Sequence, residues 1–168
     1  MERSRMRIAS LQKRDILYAQ AIWPILTDER CKELAFIPNK KVCCLINGDR
    51  LLLVKTGKRT GKNEFSWTFA FQHEDREFLV QQSQTVKCIL LFLICRNKKA
   101  PIVCAVKWNE AQNLLDCTDD RRQHNIYVKK KKNVAYQLTG PTKTEQPPRS
   151  VIWSRGELLN YFYTTSQK

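Results

Sequence analysis

Apolar positions along the chain switch between a helical and an alternating period, and the switch points divide it into elements. Across residues 11–34, Leu11, Ile16, Leu17, Ala21, Ile22, Ile25 and Leu26 recur at helical spacing, with Ser10 placed as an N-cap and a bend expected at Pro24. Asp28 is expected to open a second turn or short helix reaching Leu34, closed by Pro38. Residues 42–46 and 51–54 are short apolar runs on either side of Asn47-Gly48-Asp49, the chemistry of a tight turn, and predict a hairpin. The polar run from Lys55 to Lys62, punctuated by Gly57 and Gly61, reads as a loop. In residues 66–71, Trp67, Phe69 and Phe71 alternate with Ser66, Thr68 and Ala70, which predicts a strand with one aromatic face.

The helical period returns over residues 73–84, with Phe78 and Leu79 inward and Glu74, Asp75 and Glu77 in the first turn, where the helix dipole favours acids. The run CILLFLIC, residues 88–95, predicts a buried strand, followed by a turn at 96–99 and a partner strand at 102–106. A short helix capped near Asn109 is expected to run to Leu115 and end in the acidic loop 116–120. A hairpin at 125–128 and 134–138 follows, joined through the four lysines from Lys129 and Asn133. Residues 140–149, with Pro141, Pro147 and Pro148, read as an irregular connector, and a short strand at 151–153 and a helical turn at 157–163 close the chain. The fold class expected is a single α/β (α+β) domain over 1–168, with its core at about 10–140 and a C-terminal strand and helix at 150–163. Its sheet is mixed, with antiparallel hairpins flanked by helices.

With 168 residues, 42% hydrophobic and 27% charged, the chain has enough apolar material for a core and is not a low-hydrophobicity disordered sequence. Its longest apolar run is far short of the roughly 20 residues that a helix needs to cross a bilayer. The opening MERSRMRIAS is basic with no apolar stretch behind it, so no secretory signal and no membrane partner are expected. Seven cysteines, an odd count with no CxxC spacing, fit free core thiols in a reducing compartment. The location expected is therefore intracellular, cytoplasmic or nuclear.

The net charge of +14 changes the picture most, because its lysines gather on polar segments. Four groups stand out: Lys40 and Lys41; Lys55, Lys58, Arg59 and Lys62; Lys98 and Lys99; and Lys129, Lys130, Lys131 and Lys132, the second and fourth being the candidates for backbone contact. Grouped on one surface they would attract a polyanion, so the leading expectation is contact with the phosphate backbone of DNA or RNA. The alternative partner is an acidic protein, docked by charge as a subunit or inhibitor would be. Gly57 and Gly61 lack the GxxxxGK[ST] spacing of a nucleotide loop. Trp67, Phe69 and Phe71 are read as a core face in preference to a base-stacking platform. The histidines, His73 and His124, both lie in polar, surface-like contexts and offer little to a serine or cysteine nucleophile. Asp116, Asp119 and Asp120 lack the glycine and terminal glutamate of a calcium loop.

A Mg²⁺-dependent nuclease needs carboxylates converging on the ion and a lysine to stabilise charge. The order helix, strand, strand, strand, helix, strand over residues 10–96 resembles the core of the PD-(D/E)XK superfamily, which is restriction-endonuclease-like in fold. The resemblance implies a site made by an acid of the first helix, an aspartate at the second strand and a (D/E)xK on the third. Glu33 and Asp49 are the candidates for the first two, with Asp49 the candidate metal ligand. The third element departs from the pattern: Glu64 precedes the 66–71 strand, and Lys62 lies on the wrong side of that acid. Either Lys55 or Lys62 supplies a displaced lysine, or the scaffold binds without cleaving. Asn-Gly-Asp is also ordinary turn chemistry, a role that would occupy Asp49 without any metal.

Overall fold

The computed structural model of the protein describes residues 13–40, 42–60, 65–97, 100–118, 123–131, 133, 135–141 and 152–166. Their elements are, in order, α1 (Lys13–Leu26), β1 (Leu34–Phe36), β2 (Cys43–Ile46), β3 (Arg50–Thr60), β4 (Phe65–Gln72), α2 (His73–Ser83), β5 (Cys88–Cys95), β6 (Ile102–Lys107), α3 (Trp108–Leu115), β7 (Gln123–Lys130), β8 (Gln137–Thr139) and α4 (Arg155–Thr164). The architecture is mixed α/β. One sheet runs β1-β2-β3-β4-β7-β8, with β5 also paired to β3 and β6 to β5. Among the described strands only the β3–β5 pairing is parallel, and α2 lies in the crossover that such a pairing requires.

The eight consecutive apolar residues of β5 are all buried, because helices cover the sheet on both sides there. Ile89, Leu91 and Leu93 point into a core shared with Leu51, Leu53, Trp67, Phe69, Leu79 of α2 and Leu114 of α3. Leu90, Phe92 and Ile94 point the other way, against Ile22 and Ile25 of α1 and Leu159 and Phe162 of α4. Arg50 is buried beside this second core, donating from Nη1 to the carbonyl oxygens of Phe162 and, at 3.0 Å, Thr165, and so ties the end of α4 to the start of β3.

The β2–β3 hairpin forms at Asn47-Gly48, both in the left-handed region that this turn needs. The Asn47 side chain also clamps the approach to β1: its Oδ1 accepts from the amides of Lys32 (2.8 Å) and Glu33 (3.1 Å), and its Nδ2 donates to the Arg30 carbonyl (2.7 Å).

Several expectations are corrected. The first helix ends at Leu26, and of the two forms expected from Asp28 the turn is the one present; it ends at Arg30, and Leu34 opens β1. The loop expected from Lys55 is strand as far as Thr60, because β5 pairs with β3 up to Gly57 and β4 pairs with it from Lys58. Gly57 serves packing: a Cβ there would lie 2.6 Å from Phe69 Cζ, so the strand needs a residue without one. His124, read as a surface residue, is buried, with Nδ1 bonded to the Leu115 carbonyl. Lys129 and Lys130 belong to β7, and residues 152–154 are irregular where a strand was expected. Ser10, Glu64, Lys62, Lys132 and most of the 140–149 connector lie outside the described residues.

Candidate nucleic-acid interface

The two basic groups meet through β4. Lys58, Arg59 and Thr60 of β3 lie opposite Thr68, Trp67 and Ser66, and on the far side of β4 Ser66 lies opposite Lys129 and Phe65 opposite Lys130. Lys58–Arg59 and Lys129–Lys130 are therefore two strand spacings apart, about 10 Å between backbones. Directly opposed residues share a face. Lys58 and Lys129 accordingly stand on the polar face with Thr60, Ser66, Thr68 and Tyr127. That face continues into a chain of side-chain hydrogen bonds, from Gln72 to Gln123 (2.9 Å), Gln123 to Asn125 (2.9 Å) and Asn125 to Tyr127 (3.3 Å).

Arg59 and Lys130 stand on the opposite, aromatic face. The Arg59 guanidinium carbon sits 4.7 Å from the centroid of Phe65, and Lys130 Nζ sits 5.2 Å from that of Tyr136. Between them runs a row of rings, with Phe65–Trp67 centroids 6.2 Å apart and Trp67–Tyr136 centroids 6.4 Å apart, both pairs inclined by 28°. The Trp67 indole is fixed by donating to the Arg96 carbonyl at 2.8 Å. Lys131, exposed, follows directly on β7.

Lys55 has a different role. It points into a cleft of about 430 Å³ lined by Tyr18, Lys40, Gln72 and Asp75 among others, where β2 begins and β4 ends. Its Nζ donates to Asp75 Oδ2 and to the Ala70 carbonyl, both at 2.8 Å, and lies 4.7 Å from the Phe71 ring centroid. Lys40 approaches the other oxygen of Asp75 at 3.6 Å. Burial raises the pKa of Asp75, but the Lys55 hydrogen bond and charge, the Gln72 amide and Lys40 outweigh it and hold the carboxyl below its ordinary range. Lys55 is a cross-strand tie, whereas Lys58 and Lys129 lead outward.

The candidate acids do not converge on it. Asp49 sits in the turn before β3, with Lys87 Nζ 2.7 Å and Arg50 Nε 3.7 Å from its carboxylate. Along an extended strand Lys55 is about 20 Å from Asp49. Glu33, matched to a first-helix acid, lies beyond α1 in the exposed lead into β1, and its backbone is bonded to Asn47 at the same end of the sheet as Asp49. Around Lys55 the donor set does not fit Mg²⁺, because its one carboxylate, Asp75, is already matched by two ammonium groups. Among the described residues no group of three or more His, Cys, Asp or Glu side chains could hold a metal ion.

The seven cysteines are unpaired, and five of them are buried. Burial pushes Cys43 up to about 12 and Cys44 and Cys88 up to about 11, so these thiols stay protonated and serve packing. Among the described residues no helix is long and apolar enough to cross a membrane.

The chain was compared with protein-family models, with curated proteins and with solved structures. It matches none of them. The site therefore rests on its own geometry. Sequence reasoning missed Phe65 and Tyr136; Phe65 had a signal, since it extends the alternation of Trp67, Phe69 and Phe71 by one step.

Proposed function

We propose that the protein binds nucleic acid by its phosphate backbone, through the basic end of the sheet where β3, β4 and β7 meet, on a restriction-endonuclease-like scaffold that binds without cleaving. The reading is carried by one observation: the β3–β4 and β4–β7 registers bring Lys58, Arg59, Lys129 and Lys130 together from opposite halves of the chain. Two cations on each face of this end of the sheet, within about two strand spacings, form a field suited to a polyanion.

The scaffold half of the reading is supported by element order. With the three-residue β1 left out, α1, β2, β3, β4, α2 and β5 follow in that order, with β5 parallel to β3; the third strand is then β4, and the displaced lysine, Lys55, stands on β3. Two residues before Lys55, where the resemblance calls for an acid, stands Leu53, buried in the core. Leu53 lies opposite Cys43 on β2, so that face of the hairpin offers apolar side chains where a nuclease needs oxygen ligands.

The test is a salt series with fluorescent duplex DNA, single-stranded DNA and RNA, first without metal and then with Mg²⁺. Affinity should fall linearly in log–log with salt, and Lys58→Gln with Lys129→Gln should reduce the duplex slope by about 0.9 per lost phosphate contact. An unchanged slope, or no binding at low salt, would overturn the interface and leave an acidic protein as the partner. Strand cleavage on adding Mg²⁺ would overturn the binding-only scaffold.

A further inference from the structure

Phe65 is unusual among the aromatic residues of β4. Trp67, Phe69 and Phe71 on the same face are at most 1% exposed, whereas Phe65 is 45% exposed at the strand's outer end. It is also ordered from both sides: Trp67 stacks along it from within the sheet, and the Arg59 guanidinium lies over its ring. Lys130 is its directly opposed partner on β7. An apolar ring beneath a guanidinium, with a lysine opposite it on the next strand, is poorly explained by packing, since it leaves nearly half its surface in water.

The same arrangement answers the chemistry of an unpaired nucleotide. A base is a flat π-system that stacks on an aromatic ring or a guanidinium plane, and its phosphates are matched by neighbouring lysine or arginine. A duplex keeps its bases inside the stack and presents phosphates alone. We propose that Phe65, with Arg59, is a stacking platform for one base of a single-stranded polynucleotide, and that Lys130 takes an adjacent phosphate. The inference rests on the phosphate-binding reading and names its preferred polymer as single-stranded. Charge complementarity argues for this occupant over a hydrophobic protein surface, which would leave the Arg59 guanidinium over the ring desolvated with no anion to meet it.

The experiment compares wild type, Phe65→Leu, Phe65→Tyr and the Lys58→Gln/Lys129→Gln variant on single-stranded DNA, single-stranded RNA and duplex DNA of equal length. Phe65→Leu keeps an apolar side chain of similar reach, and because the site is half-exposed its thermal midpoint should match wild type. It should lose roughly tenfold in affinity for the single strands with an unchanged salt slope, while duplex binding stays within about twofold. Phe65→Tyr keeps the ring and should bind as wild type does. Equal losses on all three polymers, or no loss on any, would overturn the platform. If Phe65→Leu is silent while the lysine variant still flattens the salt slope, the phosphate interface stands and the platform alone falls. If wild type binds none of the polymers, both fall together. A loss on RNA but not on single-stranded DNA supports the platform and assigns it to RNA.

Discussion

The sheet has two regions built on different rules. Around β5, strands β2, β3 and β6 are covered by helices on both faces, and consecutive residues such as Leu91 and Phe92 enter different cores. Around β4 and β7 only one face is apolar, with Trp67, Phe69, Ile126 and Val128 inward, while Thr68, Asn125, Tyr127 and Lys129 stand on the other. β3 belongs to both: its first half is buried on both sides and its last three residues are exposed. The first region shows how the chain stays folded, and the second shows where it has surface to spare for a ligand.

Truncating successive residues in each region separates the two rules most strongly. In β5 both Leu91→Ala and Phe92→Ala should destabilise, by about 2–5 and 3–5 kcal/mol, since each opens a cavity in a different core. In β4 only alternate positions should matter: Phe69→Ala should cost about 3–5 kcal/mol and Thr68→Ala less than about 0.5 kcal/mol. Urea unfolding curves of the four variants decide it, and a large cost for Thr68→Ala would show that its face is packed.

The same distinction sets what could be read in advance. CILLFLIC could be assigned as a buried strand because burial on both faces removes all polar residues, and β4 could be read from its period of two. The last residues of β3 could not, because Lys55 to Thr60 have little strand propensity and become strand only through pairing with β5 and β4, which follow later in the sequence. β1 is three residues long and exposed throughout, so it carries no periodic signal at all. The basic groups were visible as charge, but that they share one end of the sheet depends on the β4–β7 register, a non-local fact. Conversely Asp49 was legible as turn chemistry, and its carboxylate is bound to Lys87 and Arg50 at the end of β3 far from Lys55.

At the junction of the two regions, Asp75 gathers Lys55, Lys40 and the Gln72 amide, and Asp75→Asn should cost roughly 1.5–3 kcal/mol by weakening charged hydrogen bonds. Its pH dependence has a definite sign. Because the folded carboxyl is held below its ordinary 3.8, its contribution is fully present above that pH and is lost as the pH falls through the folded value. The gap between wild type and Asp75→Asn should therefore be constant from pH 7 to about pH 5 and narrow in more acid solution. A gap that widens there would mean that the two lysines do not hold Asp75 ionised.

The smallest effect on folding is expected where the proposed effect on binding is large. Lys58 is exposed, pairs through its backbone with Thr68, and lies past the point where β5 leaves β3, so its side chain contributes charge to the surface and little to either core. Lys58→Gln should shift the unfolding free energy by less than about 0.5 kcal/mol, and removing one cation from a basic cluster even favours slight stabilisation at low salt. Lys55, only three residues earlier on the same strand, should behave in the opposite way, because its ammonium is bound to Asp75 and Ala70. Measured side by side at low and high salt, Lys58→Gln should weaken polynucleotide binding and leave stability intact, whereas Lys55→Gln should lower stability first. If both variants lose stability alike, the exposed end of β3 is part of the core it was contrasted with, and the division of the sheet into a folded half and a binding half fails.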